Sequence, residues 1–210
     1  MATKAPTELI EATDTRTNEL LDSLEEIVLT EGFSRLTVGE MASQLRCSRR
    51  TIYELAKSKN DLVLLVLERF FRKVRTDAEQ AIVGIDDPAR RIYEYLQVGV
   101  KAAHRFSPIL VKDIDKWPPS RRVWEEHIRA RVDGLRQLVE DGIRQGAFRD
   151  VHAELVAETM FASINRIREP SFYNTTNLTI YDAFREFYGM ILHALDKKGD
   201  KPAKKSARRG

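Results

Sequence analysis

Cysteine is nearly absent from this chain: Cys47 is the only one in 210 residues, which excludes an intrachain disulfide and a thiolate metal cluster and suits a reducing compartment. Long apolar runs are missing too. The longest, Leu62 to Leu67, falls far short of the roughly 20 residues that a bilayer crossing needs. The opening Met1-Ala-Thr-Lys-Ala-Pro-Thr-Glu lacks the apolar core of a secretory signal. Together these absences predict a cytoplasmic protein with no membrane partner. His104, His127, His152 and His193 show no HExxH or other ligand spacing, so neither a metal site nor a cofactor is expected. No Gly-rich phosphate loop and no nucleophile spaced to meet a base is present, which argues against an enzyme. Strand-like alternation and internal repeats are also missing, leaving an all-α reading.

What is present describes a globular chain. With 42% apolar and 32% charged residues, it can bury a sizeable core. The net charge of +3 is misleading as a global value, because seven basic residues from Lys197 onward stand against Asp200 alone, leaving the preceding residues net negative. A local excess matters more. Arg46, Arg49, Arg50, Lys57 and Lys59 stand against Glu54 alone between positions 46 and 59, a cationic patch on an otherwise acidic body.

Residues 1–15 have no clear period and read as a flexible arm. Leu20, Leu21, Leu24, Ile27 and Val28 then recur at helical steps, and Gly32 is the expected stop. Thr37 and Glu40 have capping-box spacing for a second helix with Val38, Met41, Ala42 and Leu45 inward. That pattern breaks at Arg46-Cys47, and Ser48 is a good N-cap for a short third helix. Ile52, Leu55 and Ala56 form its inner face, while Arg49, Arg50, Tyr53 and Lys57 point outward. Ser58 caps a fourth helix, apolar all round at its start and therefore expected between two bodies. Helices are expected from Pro88 to about Phe106 and from about Ser120 to Gly146, with a short segment to Trp117 between them. Two more, near His152 to Arg168 and Ile180 to Lys197, flank a polar loop with Pro170, Asn174 and Asn177.

Two short helices joined by a tight turn, the second with an exposed basic face, match the helix-turn-helix geometry of DNA-binding proteins. Arginine offers a bidentate fork to guanine, so Arg49, Arg50 and Thr51 are candidate base readers. Tyr53, Lys57 and Lys59, with Thr37 and Ser48 at the starts of the two helices, are candidates to hold the backbone. Cys47 reads as a small packing residue in the turn.

Residues Thr17 to Glu68 resemble the N-terminal domain of the TetR family of bacterial transcriptional regulators. The likeness is carried by Glu31-Gly32-Phe33, Leu36-Thr37-Val38, Met41-Ala42, the Ser48 to Tyr53 run, and Ser58-Lys59-Asn60-Asp61-Leu62. The run Gly142-Ile-Arg-Gln-Gly-Ala-Phe148 is similar to the family's trunk. Three positions depart from the pattern: Arg46 stands where the turn usually carries Gly, Glu54-Leu55-Ala56 replaces aromatic and histidine residues, and Gly39 replaces a side chain that in some relatives helps to read bases. A non-Gly residue at positive φ costs about 1 kcal/mol, so either the turn is strained or its geometry differs.

The resemblance implies a helix-turn-helix head joined to a larger helical ligand-binding and dimerisation domain. Its expected boundaries are an arm at 1–15, the head at 16–60, the trunk at 61–197 and a basic disordered tail at 198–210. It further implies a homodimeric repressor that pairs through its two C-terminal helices, binds a palindromic double-stranded DNA operator and responds to a small-molecule effector. Phe106, Trp117, Trp124 and Phe161 are candidate ligand-lining residues, although aromatic residues at helical spacing are more often plain core. The alternative is a ligand-insensitive or architectural DNA-binding protein whose trunk is a protein-interaction module.

Overall fold

The computed structural model describes residues 6–197, and among them every named element is a helix. Ten follow one another: α1 (Pro6–Glu31), α2 (Val38–Gln44), α3 (Arg49–Leu55), α4 (Lys59–Gln80), α5 (Pro88–His104), α6 (Pro108–Lys116), α7 (Pro118–Arg144), α8 (Ala153–Arg168), α9 (Pro170–Thr176) and α10 (Ile180–Leu195). The all-α expectation holds. One isolated antiparallel bridge, Phe148 to Asp196, ties the end of α10 to the connection after α7.

Several boundaries differ from expectation. Helix α1 starts at Pro6, so the arm expected over 1–15 is helical from that residue onward; its first five residues lie outside the described ones, as does the expected basic tail. Proline suits a first helical position, and adding turns to a helix already anchored downstream costs little, so no apolar period is required. Helix α7 starts at Pro118 rather than near Ser120, because both prolines fit in its first turn. The polar loop expected after Arg168 contains the short helix α9.

One continuous hydrophobic core runs from α1 to α10. Helix α4 is its axle: Leu62, Val63, Val66, Leu67, Phe70 and Phe71 are all buried, and the helix packs against α1 on one side and α5 and α7 on the other. The expected head boundary at residue 60 therefore falls within the first turn of a helix that both bodies share.

A second joint fixes the head to the trunk. Gly32 takes φ 73° at the end of α1, a left-handed conformation that glycine adopts without penalty. It turns the chain so that the amides of Phe33 and Ser34 both donate to one oxygen of Asp113 on α6, at 2.7 and 2.8 Å. Asp113 is buried. Nearby, Ser107 N–H donates to the Leu29 carbonyl at 3.0 Å, and buried Glu25 of α1 accepts from Arg69 of α4 and Arg105 after α5.

Candidate nucleic-acid interface

Local capping sets the geometry of the head. Thr37 accepts from the Glu40 amide at 3.2 Å while the Thr37 amide donates to the Glu40 carboxylate at 2.7 Å, the reciprocal box read from the spacing. These bonds hold the exposed Glu40 carboxyl below its usual range. They also commit the amide of Thr37, and its hydroxyl lies 2.7 Å from the same carboxylate, so neither is available to a phosphate while the box is closed.

The turn between α2 and α3 is closed by two backbone bonds, Cys47 N–H to the Ala42 carbonyl and Arg46 N–H to the Ser43 carbonyl, at 2.9 and 3.1 Å. This pair is a Schellman motif, which calls for a left-handed residue at the position of Arg46. Arg46 takes φ 50°. The turn therefore keeps the ordinary geometry and accepts strain to do so. Cys47 is half-buried against the core, as a packing residue would be.

Ser48 caps α3, accepting from the Thr51 amide at 3.1 Å. Its hydroxyl also lies 2.9 Å from that of Thr51, which draws Thr51 toward the cap and leaves it half-buried. Ile52 anchors the helix in the core with 1% exposure. Arg49, Arg50 and Tyr53 stay exposed, Tyr53 at 54% despite its size. An aromatic ring and two guanidinium groups thus stand together in water on one helix.

The cations on this face differ in freedom. Arg46, Arg49 and Lys57 form no ion pair among the described residues, whereas Arg50 pairs with Glu54 at 3.1 Å. That pair is highly exposed and contributes about 0.5 kcal/mol or less, so a phosphate or base can displace it cheaply. Lys59 donates to the Ser34 carbonyl at 3.1 Å and is partly structural. Gly39 has a clear consequence: a Cβ there would lie 2.8 Å from Nη2 of Arg49. The missing side chain is the space that the Arg49 guanidinium fills.

Of the four aromatic residues expected to line a ligand cavity, Phe106 and Trp124 lie together, while Trp117 and Phe161 lie elsewhere. Phe106 and Trp124 share an aromatic cluster with Phe71, at 6.4 and 5.7 Å from its ring. Trp117 instead packs edge-on against Phe33 at 5.6 Å, at the head–trunk joint. Phe161 lies on α8, beneath the Arg129 guanidinium at 4.2 Å. Long-range packing separates residues that composition alone could group. Sequence reasoning missed Asp113, and it left His127 and Arg131 without a role. The available signal was a charged or polar residue in the apolar register of its helix: Asp113 beside Leu110 and Ile114, and His127 and Arg131 beside Trp124, Ile128 and Leu135.

A groove of about 510 Å³ lies between α8, α9 and α10, lined among others by Ile167, Phe172, Phe187 and Met190. Met190 on α10 is 68% exposed and Leu155 on α8 66%. Among the described residues, no helix is long and apolar enough to cross a membrane, and no group of His, Cys, Asp and Glu could hold a metal ion.

No family model and no curated protein matches the sequence. Solved structures do. A protein described as a transcriptional regulator from Saccharomonospora viridis, solved with choline, superposes with a TM-score of 0.70 at 16% identity, over 88% of this chain and 99% of that one. A TetR transcription regulator from Haloarcula marismortui gives 0.68 at 18% identity, over 88% and 100%. The transcriptional regulator FadR from Bacillus subtilis, solved with stearoyl-CoA, gives 0.64 at 14% identity, over 84% and 97%. The chain has the fold of TetR-type regulators along nearly its whole length.

Proposed function

We propose that this chain is a non-catalytic, cytoplasmic transcriptional regulator of the TetR family: a homodimeric repressor that binds a palindromic operator and releases it when a small molecule enters the trunk. The observation that carries the reading is the outward face of α3, where Arg49, Arg50 and Tyr53 stand exposed beside Arg46 and Lys57, which form no ion pair among the described residues. A duplex offers that face what it lacks, acceptor-rich base edges and a line of phosphates. Arg49, Arg50 and Thr51 are the proposed base readers. Tyr53, Lys57 and Lys59 are proposed to hold phosphates with Ser48 and, once its box opens, Thr37.

Pairing through α8 and α10 is supported by the apolar groove between them and by the exposure of Met190 in its lining, since exposed apolar patches mark association surfaces. Two-fold pairing would set two α3 helices in successive major grooves, about 34 to 36 Å apart. Ligand response is supported by a trunk much larger than DNA binding requires, and by the small molecules carried by the Saccharomonospora and Bacillus proteins of the same fold.

Fluorescence anisotropy with promoter DNA from the protein's own locus tests the proposal. The expected result is salt-sensitive binding of two chains per site, with a clear preference over scrambled DNA of equal length. Equal affinity for both DNAs would overturn it.

A further inference from the structure

The trunk interior holds a positive charge with no ion-pair partner among the described residues. On α7, Trp124, His127 and Arg131 follow at three- and four-residue steps on one face, and they are 2%, 5% and 6% exposed. Each carries a buried nitrogen with no hydrogen-bond partner: Trp124 Nε1, His127 Nδ1 and Arg131 Nη1. Phe71 stacks on His127 at 4.5 Å and meets Trp124 edge-on at 5.7 Å. The setting is an aromatic shell with polar atoms facing into it.

Structural duty accounts for only half of the Arg131 fork. Nη2 donates to the Tyr95 carbonyl at 2.8 Å, the guanidinium lies 4.5 Å over the Tyr95 ring, and the Tyr95 hydroxyl donates back to the Arg131 carbonyl at 2.9 Å. A Cβ on Gly99 would come within 3.1 Å of Nη2, so that glycine makes room for the clamp. Nη1 takes no part. The contrast with Arg168 is informative: that side chain is equally buried, but it pairs with Asp115 at 2.7 Å. Arg131 makes no ion pair among the described residues, although Glu79 and Asp133 bear electrostatically on the Tyr95 it covers. Asp133, the nearest in sequence, is engaged by Arg136, and Arg75, the other cation bearing on His127, also makes no ion pair among the described residues. Burial, with Arg131 and Arg75 nearby, pushes the His127 imidazole well below its usual pKa, and Arg131 stays charged beside it.

Arginine and the indole N–H are donors only, and a buried guanidinium without a partner is costly. The free half of the Arg131 fork requires an acceptor, and a carboxylate is an acceptor-only group suited to a guanidinium. We propose that the trunk binds a carboxylic acid with an apolar body, its carboxylate on Arg131 and its body against Phe71 and Trp124. The acid is the effector class of the regulator proposed above, and the inference rests on that reading for its role, though not for the binding itself.

The test uses the full chain carrying Trp117→Phe, which leaves Trp124 as the sole indole of the two present. Decanoate and 1-naphthoate are titrated against decanol and 1-naphthalenemethanol, read by Trp124 emission and calorimetry. Each acid is expected to bind at least about ten-fold more tightly than its alcohol, with Trp124 emission changing saturably. Arg131→Gln, which keeps donors but no charge, should erase that preference. Should this variant fail to fold, Arg131→Lys serves instead, and it should retain the preference with weaker binding because the charge survives without the fork. The inference is overturned if acid and alcohol bind alike, if neither moves Trp124 emission, or if Arg131→Gln still prefers the acid. DNA enters only in a separate arm. Specific DNA binding without acid binding overturns this inference alone, while acid binding that leaves DNA affinity unchanged upholds it and counts against ligand-controlled release.

Discussion

Arginines occur in two opposite settings here, on the face of α3 and inside the trunk. Arg46, Arg49 and Arg50 sit in water, where a charge costs nothing to maintain and any partner is exchangeable. Arg131 and Arg168 sit in the core, where each charge demands a particular partner. The difference separates two kinds of recognition. Exposed cations suit a polymer of phosphates met in many registers, whereas one buried cation suits a single small acid met in one geometry. Between the two regions lies the Asp113 joint, the route by which a change in the trunk would reach the head.

That joint should give the largest effect when broken. Asp113→Ala leaves the buried Phe33 amide without its acceptor and should cost about 2 to 3 kcal/mol in urea unfolding; a cost near zero would mean that head and trunk are held mainly by α4. On the exposed side, Arg49→Ala should lose about 1 to 3 kcal/mol of operator affinity, confined to one base position. Equal weakening on every sequence would instead make Arg49 a phosphate anchor. Arg46→Gly relieves the left-handed turn and should raise stability by about 1 kcal/mol, read as a shifted denaturation midpoint. Its effect on base preference should be nil, since the side chain is not on α3.

The smallest effect concerns acid. The Glu40 carboxyl is held below its ordinary value of 4.5 by its bonds to Thr37. A carboxylate whose folded value is depressed stabilises the fold above its unfolded value, and that contribution is lost as pH falls through the folded one. Stability should therefore decline slightly below about pH 4.5, and Glu40→Gln should flatten this part of the curve while keeping the cap.

The head was legible from sequence because its determinants are local. Thr37 with Glu40, Ser48, Ser58 and Gly32 each act within a few residues, and the structure realises all of these caps and the stop. The proposed trunk site was not, because it depends on which helices meet. Phe106, Trp117, Trp124 and Phe161 are equivalent in sequence, and only packing sends one to the joint, one beneath Arg129 and two to the aromatic cluster. The extension of α1 and the helix at α9 escaped for a related reason, since a polar segment shows no period even when its neighbours hold it helical. The polar residues set in apolar stripes, Asp113, His127 and Arg131, were the clearest unread signal.

Selection of bound sites from random double-stranded DNA, run in parallel with the parent protein and with Arg49→Ala and Arg50→Ala, bears most directly on the claim that α3 reads a duplex. The account predicts a two-fold symmetric consensus with half-sites about one helical turn apart, and a loss of preference at one position per half-site in each variant. A library that emerges unenriched, or an identical consensus from all three proteins, would contradict it.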